Sequence, residues 1–418
     1  MVKLQPVRLL FVTYGGGHVE IIIRLIPFLK QIANVQVRIL ALTTAGPRLD
    51  RSGISYRTCS DYLPLLGYDT AMAIGAELSA DLWDETTGIS WEESCAYLGI
   101  SMIDLQTEIG EAEAQSRYRK DGRSVFCPKS FLSEVLHKEC PQLVITTCHV
   151  RMERAAVLAA RHLGIPIVRI EDLFGYSLLG EYSTESPPRL LPEAEWPDDV
   201  IVLNSEVKTR LVEAGFPSER IHPLGQPVLS EWLNAYVYAS PSAELEDWRS
   251  EGRPVISYAT PARRDVLYSY SNALLDVAKR RPEWGICIKL HPSVGLGEFL
   301  AYYPKLPRNV RVLSEKDILP VVKASTVVVI FRSTVGLLCL SSGVPLLVVD
   351  DTGEPEVMPY VSSGAARGLA SLDKLEQTLA EMLADEQPNN HNFVSPLFEI
   401  PAGASERIAQ WLVERARK

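Results

Sequence analysis

"VRLLFVTYGGGHVE", residues 7–20, decides the fold. An apolar run of strand length stops at three consecutive glycines. His18 and Glu20 then open a helical pattern that continues through "HVEIIIRLIPFLKQIA". A run that is apolar at both alternating sets of positions is what a strand buried on both faces of a parallel sheet requires. The strand "VQVRILAL" follows directly, which makes the opening a strand–turn–helix–strand unit. At such a junction glycine lets backbone amides approach a ligand closely, and the helix start presents unpaired N–H groups with partial positive charge.

The alternation recurs along the chain. "QLVITT", the helix "RMERAAVLAARHLG", the strands "IPIVRIED" and "DVIVLNS" and the helix "EVKTRLVEAG" complete a first series. Residues 60–135 are helical in period, lie between sheet strands and are expected to form a lid or pocket wall. Prolines, serines and charges near 226–253 read as a linker. A second series follows, with strands "PVISYAT", "GICIKLHP", "NVRVLSE", "TVVVIFRS" and "PLLVVDD" and helices expected at about 263–280, 317–325, 334–342 and 372–386. The expected fold is α/β, two doubly wound Rossmann-like domains facing a central cleft. The first spans 1–230 with the insertion at about 60–135, and the second spans 231–400. An amphipathic helix over 401–418 is expected to cross back to the first domain.

Composition narrows the class. The chain has 418 residues, is 46% hydrophobic and 22% charged, and carries a formal net charge of -10, which speaks against a general nucleic-acid binder. No apolar run has the roughly 20 residues that span a bilayer. Seven cysteines without a C-x-x-C pair fit reduced thiols and a cytoplasmic setting.

Candidate site residues lie where strands end. His18, fixed where a helix begins, can take a proton from a hydroxyl near neutral pH. In "KLHPS", His291 ends a strand and Pro292 turns the chain out of the sheet. In "FRSTVGLLCLSSG", Arg332, Ser333, Thr334 and Gly336 mark the entry to a helix, where two hydroxyls and free amides suit a phosphate. Asp351, Glu354 and Glu356 follow the last long strand and can hold sugar hydroxyls. In the first domain "TTCHVRMER" offers His149 and Arg151, and "RIEDLFG" offers Glu171 and Asp172, on the acceptor side. There is no H-E-x-x-H, Walker A, G-x-S-x-G or Cys/His zinc spacing.

These residues resemble those of the GT-B glycosyltransferases, and within that fold the nonhydrolysing UDP-N-acetylglucosamine 2-epimerases and the bacterial capsule polysaccharide transferases. "GGHVEIIIRLIPFL" is similar to the first-helix motif of the epimerases, Glu20 included, and "GIPIVRIED" places Glu171 on a catalytic acidic position. "RRD" at 263–265 and "LHP" at 290–292 fall where the epimerases carry H-R-R-E-N and His-Pro. Their paired glutamates correspond to Leu338 and Cys339 here. The pairing of a His-Pro with a later Ser-Thr resembles the donor-phosphate grip of capsule transferases. The resemblance implies catalysis by His18, Glu20 and Glu171, and donor binding by Gly16, Gly17, Arg263, His291, Arg332, Ser333, Thr334 and Gly336. It implies a metal-independent glycosyltransferase with no resident cofactor. Its donor would be a UDP- or CMP-sugar, and its acceptor a glycan, a lipid-linked molecule or a small molecule in surface polysaccharide or glycoconjugate synthesis. Contact with the inner face of the membrane and a homodimer are both compatible with it. A 2-epimerase and a noncatalytic sugar-nucleotide binder are the alternatives.

Overall fold

The computed structural model describes residues 6–66, 68, 70–175, 178, 190–315, 317–354, 356, 358–384 and 396–418. The chain divides into two compact units, Met1–Ser230 with Gly403–Lys418, and Glu231–Ala402. Each is built on a six-stranded parallel sheet.

The first sheet contains β1 (Val7–Thr13), β2 (Val35–Ala41), β3 (Leu143–Thr146), β4 (Ile167–Ile170), β5 (Asp199–Ile201) and β6 (Ile221–His222), in the order β2-β1-β3-β4-β5-β6. Side chains alternate along β1, and its two faces enter two different cores. Leu9 and Phe11 pack with Val19, Ile22 and Leu25 of the helix Gly17–Gln31, and with Ile408 and Leu412 of the helix Ala404–Ala416. Leu10 and Val12 pack with Leu98, Ile100, Phe131 and Leu132. Those last residues belong to the helices Trp91–Ile109 and Lys129–Glu139 of the segment expected to be a lid or pocket wall. The segment forms one structural layer of this unit, because the crossover from β2 to β3 must cover a sheet face that would otherwise expose Leu10, Val12 and Val144.

The second sheet contains β7 (Val255–Ala259), β8 (Gly285–Lys289), β9 (Val310–Leu313), β10 (Val327–Ile330), β11 (Leu346–Val349) and β12 (Arg367–Leu369), in the order β12-β11-β10-β7-β8-β9. Counted from β7, this is the 3-2-1-4-5-6 order of dinucleotide-binding sheets. The stretch read as a linker holds the helix Pro227–Tyr238, and the unit boundary falls inside it. The helices expected at 263–280, 317–325 and 334–342 form at Arg264–Arg280, Leu319–Ala324 and Val335–Ser341. The one expected at 372–386 forms at Leu375–Ala384 after a 3-10 turn, and positions 385 and 386 lie outside the described residues. A further helix, Leu296–Tyr302, follows β8. In each sheet the direction of winding reverses once, between β1 and β3 and between β7 and β10. Ligands in such sheets bind outside the carboxyl ends of the strands at those reversals.

Candidate functional site

At the first reversal the loops after β1 and β3 are tied together by one residue. Glu153, in the first turn of the helix Arg151–His162, is fully buried. Its carboxylate accepts the backbone N–H of Tyr14 at 3.1 Å and of Cys148 at 2.7 Å, together with the N–H and hydroxyl of Thr147. A buried carboxylate is tolerable only with such donors around it, so the two loops and the helix form one rigid piece. Gly15 completes the join. A Cβ there would lie 1.9 Å from Thr44 Oγ1, so a side chain would drive the glycine loop away from the loop after β2. Gly16 has φ 68°, a left-handed conformation that glycine adopts without strain, and caps the helix Gly17–Gln31.

His18 is half-buried at this helix start, and its Nδ1 is buried with no hydrogen-bond partner among the described residues. Glu20 is engaged by Arg24 and Arg48. Burial pushes its carboxyl up, but the two guanidinium groups outweigh burial and hold it below the ordinary range. Glu20 is therefore held as an ion-pair partner of two arginines. The two Asp172 carboxylate oxygens lie 3.7 Å from the position of a Cβ on Gly17, and Gln226 donates to the same carboxylate at 3.3 Å. The helix start already faces an acid, so a donor phosphate at Gly16 and Gly17 would meet like charge. Asp172 and His18 are thus brought to one helix start.

Glu171, also expected to be catalytic, is only 2% exposed and sits beside the fully buried Arg169, whose charge it balances. That placement makes it a counter-ion to Arg169. His149 has a buried Nδ1 with no hydrogen-bond partner among the described residues. Burial, then the Arg169 charge, hold its imidazole down at about 4, so it is neutral at physiological pH. Arg151 has φ 47°, and its guanidinium lies over the Tyr14 ring at 4.7 Å. Tyr14 meets Tyr97 edge-on, their hydroxyls 2.9 Å apart, and Tyr14 also accepts the Met152 N–H. Tyr97 belongs to the helix Trp91–Ile109, so the helical layer reaches the ends of the strands. Glu153, Tyr14 and Tyr97 were not singled out in the sequence, where a glutamate in a first helical turn reads as a complement to the helix dipole.

In the second unit the loop after β8 holds His291. The His291 N–H donates to Thr260 Oγ1 at 2.8 Å, joining the ends of β7 and β8. The Ser293 N–H donates to His291 Nδ1 at 3.1 Å, which fixes Nδ1 as an acceptor and puts the proton of the neutral ring on Nε2. Burial, then the Arg264 and Lys289 charges, lower the pKa of this ring, so it is a neutral N–H donor. Lys289 itself is buried, with Nζ donating to the carbonyls of Leu290 and Glu315.

The loop after β10 holds the remaining predicted residues. Thr334 is exposed and occupies the N-cap position without making a capping hydrogen bond. Among the described residues the Ser333 hydroxyl reaches only the Val335 N–H, at 3.3 Å. Neither hydroxyl is absorbed by capping. At Gly336 a Cβ would lie 2.6 Å from the Tyr360 ring and 2.8 Å from Ile330, so close packing requires a glycine there. Arg332, at φ 34°, is only 17% exposed in its side chain and is fully engaged. Its guanidinium donates to Asp350 at 2.6 Å, to Thr352 Oγ1 at 3.0 Å and to Glu354. Burial raises the Asp350 carboxyl, but hydrogen bonds from Arg332 and Thr352 outweigh it and lower the pKa. Arg332 and Glu354 therefore serve each other rather than a phosphate and a sugar. Of the other expected sugar ligands, Asp351 accepts the Tyr270 hydroxyl at 2.7 Å, and Glu356 accepts the N–H groups of Val361 and Ser362. Arg263 is exposed, paired with Asp265, and lies over the Phe331 ring at 5.7 Å, so it borders the β7–β10 reversal.

No family model matches the chain, and no curated protein matches it in sequence. Solved structures do match its fold. UDP-GlcNAc 2-epimerase from Neisseria meningitidis, bound to UDP-GlcNAc, aligns with a TM-score of 0.57 at 17% identity, over 97% of this chain and 100% of that one. The glycosyltransferase of kitacinnamycin aligns with a TM-score of 0.57 at 14% identity, over 99% of this chain and 100% of that one. The glycosyltransferase VinC in complex with dTDP gives 0.55 at 17% identity, over 98% and 99%. The chain has the GT-B fold that these epimerases and glycosyltransferases share. Among the described residues no helix is long and apolar enough to cross a membrane.

Proposed function

We propose that this protein is a glycosyltransferase that moves a sugar from a nucleotide donor to an acceptor hydroxyl. One contrast carries the reading: at the start of the first helix the proton-accepting side chain without a partner is His18, while Glu20 is neutralised by two arginines. An imidazole nitrogen without a partner suits the removal of one proton from an attacking hydroxyl. A 2-epimerase must instead carry protons to and from a sugar carbon. The glutamates that the resemblance assigned to such work are Glu20, held in ion pairs, and Glu171, buried against Arg169. Two further acidic positions are the buried Leu338 and Cys339.

The donor is assigned to the second unit. The Nε2–H of His291 and the hydroxyls of Ser333 and Thr334 would meet the phosphates of the nucleotide and stabilise negative charge on the departing phosphate oxygen. In the same step the acceptor oxygen forms a bond to the anomeric carbon, the bond from that carbon to the phosphate oxygen breaks, and His18 takes the acceptor proton. The solved relatives with bound UDP-GlcNAc and dTDP make uridine and thymidine diphosphate sugars the first donors to test; CMP-sugars follow.

The test is nucleotide release from a panel of UDP-, dTDP- and CMP-sugars with sugar and lipid-linked acceptors. His18→Gln is expected to lower turnover at least about 100-fold with donor affinity unchanged. Unchanged turnover would remove the role of His18. Acceptor-independent deuterium uptake at carbon 2 of a UDP-hexosamine would replace transfer by isomerisation.

A further inference from the structure

Arginines in this protein are mostly spent on carboxylates, as Arg24, Arg48, Arg57, Arg154, Arg264, Arg311, Arg332 and Arg415 show. Arg151 is different. It is half-buried, stands at the reversal of the first sheet, and forms no ion pair with any described carboxylate. Its neighbours are the phenols of Tyr97 and Tyr14 and the thiol of Cys148, all uncharged at neutral pH. Its backbone is held at φ 47°, a conformation that costs a non-glycine residue about 1–2 kcal/mol and persists only where surroundings enforce it. Here the enforcing groups are Glu153 and Tyr14. Glu153 pins the loop before Arg151 from inside, and Tyr14, pinned by the same carboxylate, supplies the ring on which the guanidinium lies.

At the same sheet reversal three buried polar atoms lack partners among the described residues: Nδ1 of His18, Oγ1 of Thr146 and Nδ1 of His149. They stand on the helix start after β1, the end of β3 and the loop after β3, the three segments that bound the reversal. A partly desolvated guanidinium with a fixed orientation and no counter-charge is suited to a planar or tetrahedral oxyanion, which it can grip through two N–H groups at once.

We infer that the crevice between the ends of β1 and β3 binds an oxyanion, carboxylate or phosphate, carried by the acceptor substrate, and that Arg151 is the residue that holds it. The word acceptor rests on the transfer reading above; the anion site rests on the geometry alone. The acceptor class becomes an acidic sugar or a phosphorylated alcohol, and a neutral glycan is excluded as the preferred partner.

The experiment titrates the full chain with two matched pairs of probes, methyl β-D-glucuronide against methyl β-D-glucoside and glycerol 3-phosphate against glycerol, by calorimetry. At least one anion is expected to bind ten-fold or more tightly than its neutral counterpart. The pair that shows the preference tells carboxylate from phosphate. Arg151→Gln is expected to abolish the preference, Arg151→Lys to keep it at reduced strength, and Arg117→Gln, on an exposed helix face, to leave it intact. Equal binding of both members in both pairs, no binding by either anion, or a preference that survives Arg151→Gln would overturn the inference. The matched pairs on the native chain decide the matter even if Arg151→Gln does not fold. UDP and dTDP titrated into the same samples separate the two readings. Nucleotide binding without an anion preference would defeat the anion site alone. An anion preference without nucleotide binding would defeat the transfer reading alone.

Discussion

The two sheet reversals place an arginine at the same point and use it in opposite ways. Arg151 follows β3 and Arg332 follows β10, each at positive φ between a buried strand and a helix. Arg332 is enclosed by Asp350, Thr352 and Glu354, all contributed by the loop after the neighbouring strand β11. Its charge is used to hold two loops of the second unit together. In the first unit the loop-holding job falls to a carboxylate, Glu153, and the arginine beside it has no acid partner among the described residues. The same backbone device thus makes a clamp in one unit and a half-buried cation in the other. What differs is which charge has been satisfied inside the chain.

Glu153→Ala should break the comparison most severely. Three buried N–H groups and a hydroxyl would lose their acceptor, a loss of about 3 kcal/mol or more in the stability of the first unit, read by urea denaturation. Gly15→Ala comes next at about 2 kcal/mol, since its Cβ would meet the backbone as well as the side chain of Thr44. Thr44→Ala should rescue it only in part. Arg332→Met is expected to cost about 1–2 kcal/mol in the second unit, an intermediate value because the clamp is only partly buried. Arg151→Gly should do the reverse and stabilise the first unit by about 1 kcal/mol through relief of the strained φ, while erasing the anion preference. A loss of stability as large as that of Arg332→Met would place Arg151 among the clamps.

Acid offers the gentlest comparison. His149 is depressed to about 4 from 6.5, so between those values the unfolded chain binds more protons than the folded one. Its contribution to stability is complete above about pH 6.5 and falls as the pH drops toward 4. The groups that set this are burial and Arg169 and Arg154, with Glu195 opposing. Asp350 is lowered from 3.8, so the Arg332 clamp is complete above that value and is lost only as the pH falls below it. Burial lowers the pKa of His291 in the second unit as well, so both units should weaken as the pH falls below about 6.5, and His149→Gln should remove the share that belongs to the first. Amide exchange followed from pH 7 to pH 4 would check both.

Much of this was legible from the chain alone. The apolar runs before Gly15, His291 and Ser333 mark buried parallel strands, and polar residues directly after such runs must lie at strand ends. That logic located His18 and His291 in their loops. It could not find β6, two residues long, or β12, three residues long, because neither is long enough to show a period. Nor could it separate Arg332 from Arg151, since the acids that claim Arg332 lie 18 and 22 residues further on and meet it only when β11 pairs with β10. Glu20 and Glu354 looked available for the same reason: a carboxylate's partner is a property of the folded neighbourhood. The helical period of residues 60–135 was plain, but that it covers Leu10 and Val12 depends on which sheet face remained open.

The most direct measurement is calorimetric titration of UDP, dTDP and CMP into the native chain, His291→Ala and His18→Gln. One nucleotide should bind the native chain, weaken at least ten-fold in His291→Ala, and bind His18→Gln with unchanged affinity, which would place the donor on the second unit and leave His18 to the acceptor. Binding that is lost with His18 and indifferent to His291, or no binding by any of the three, would contradict the assignment.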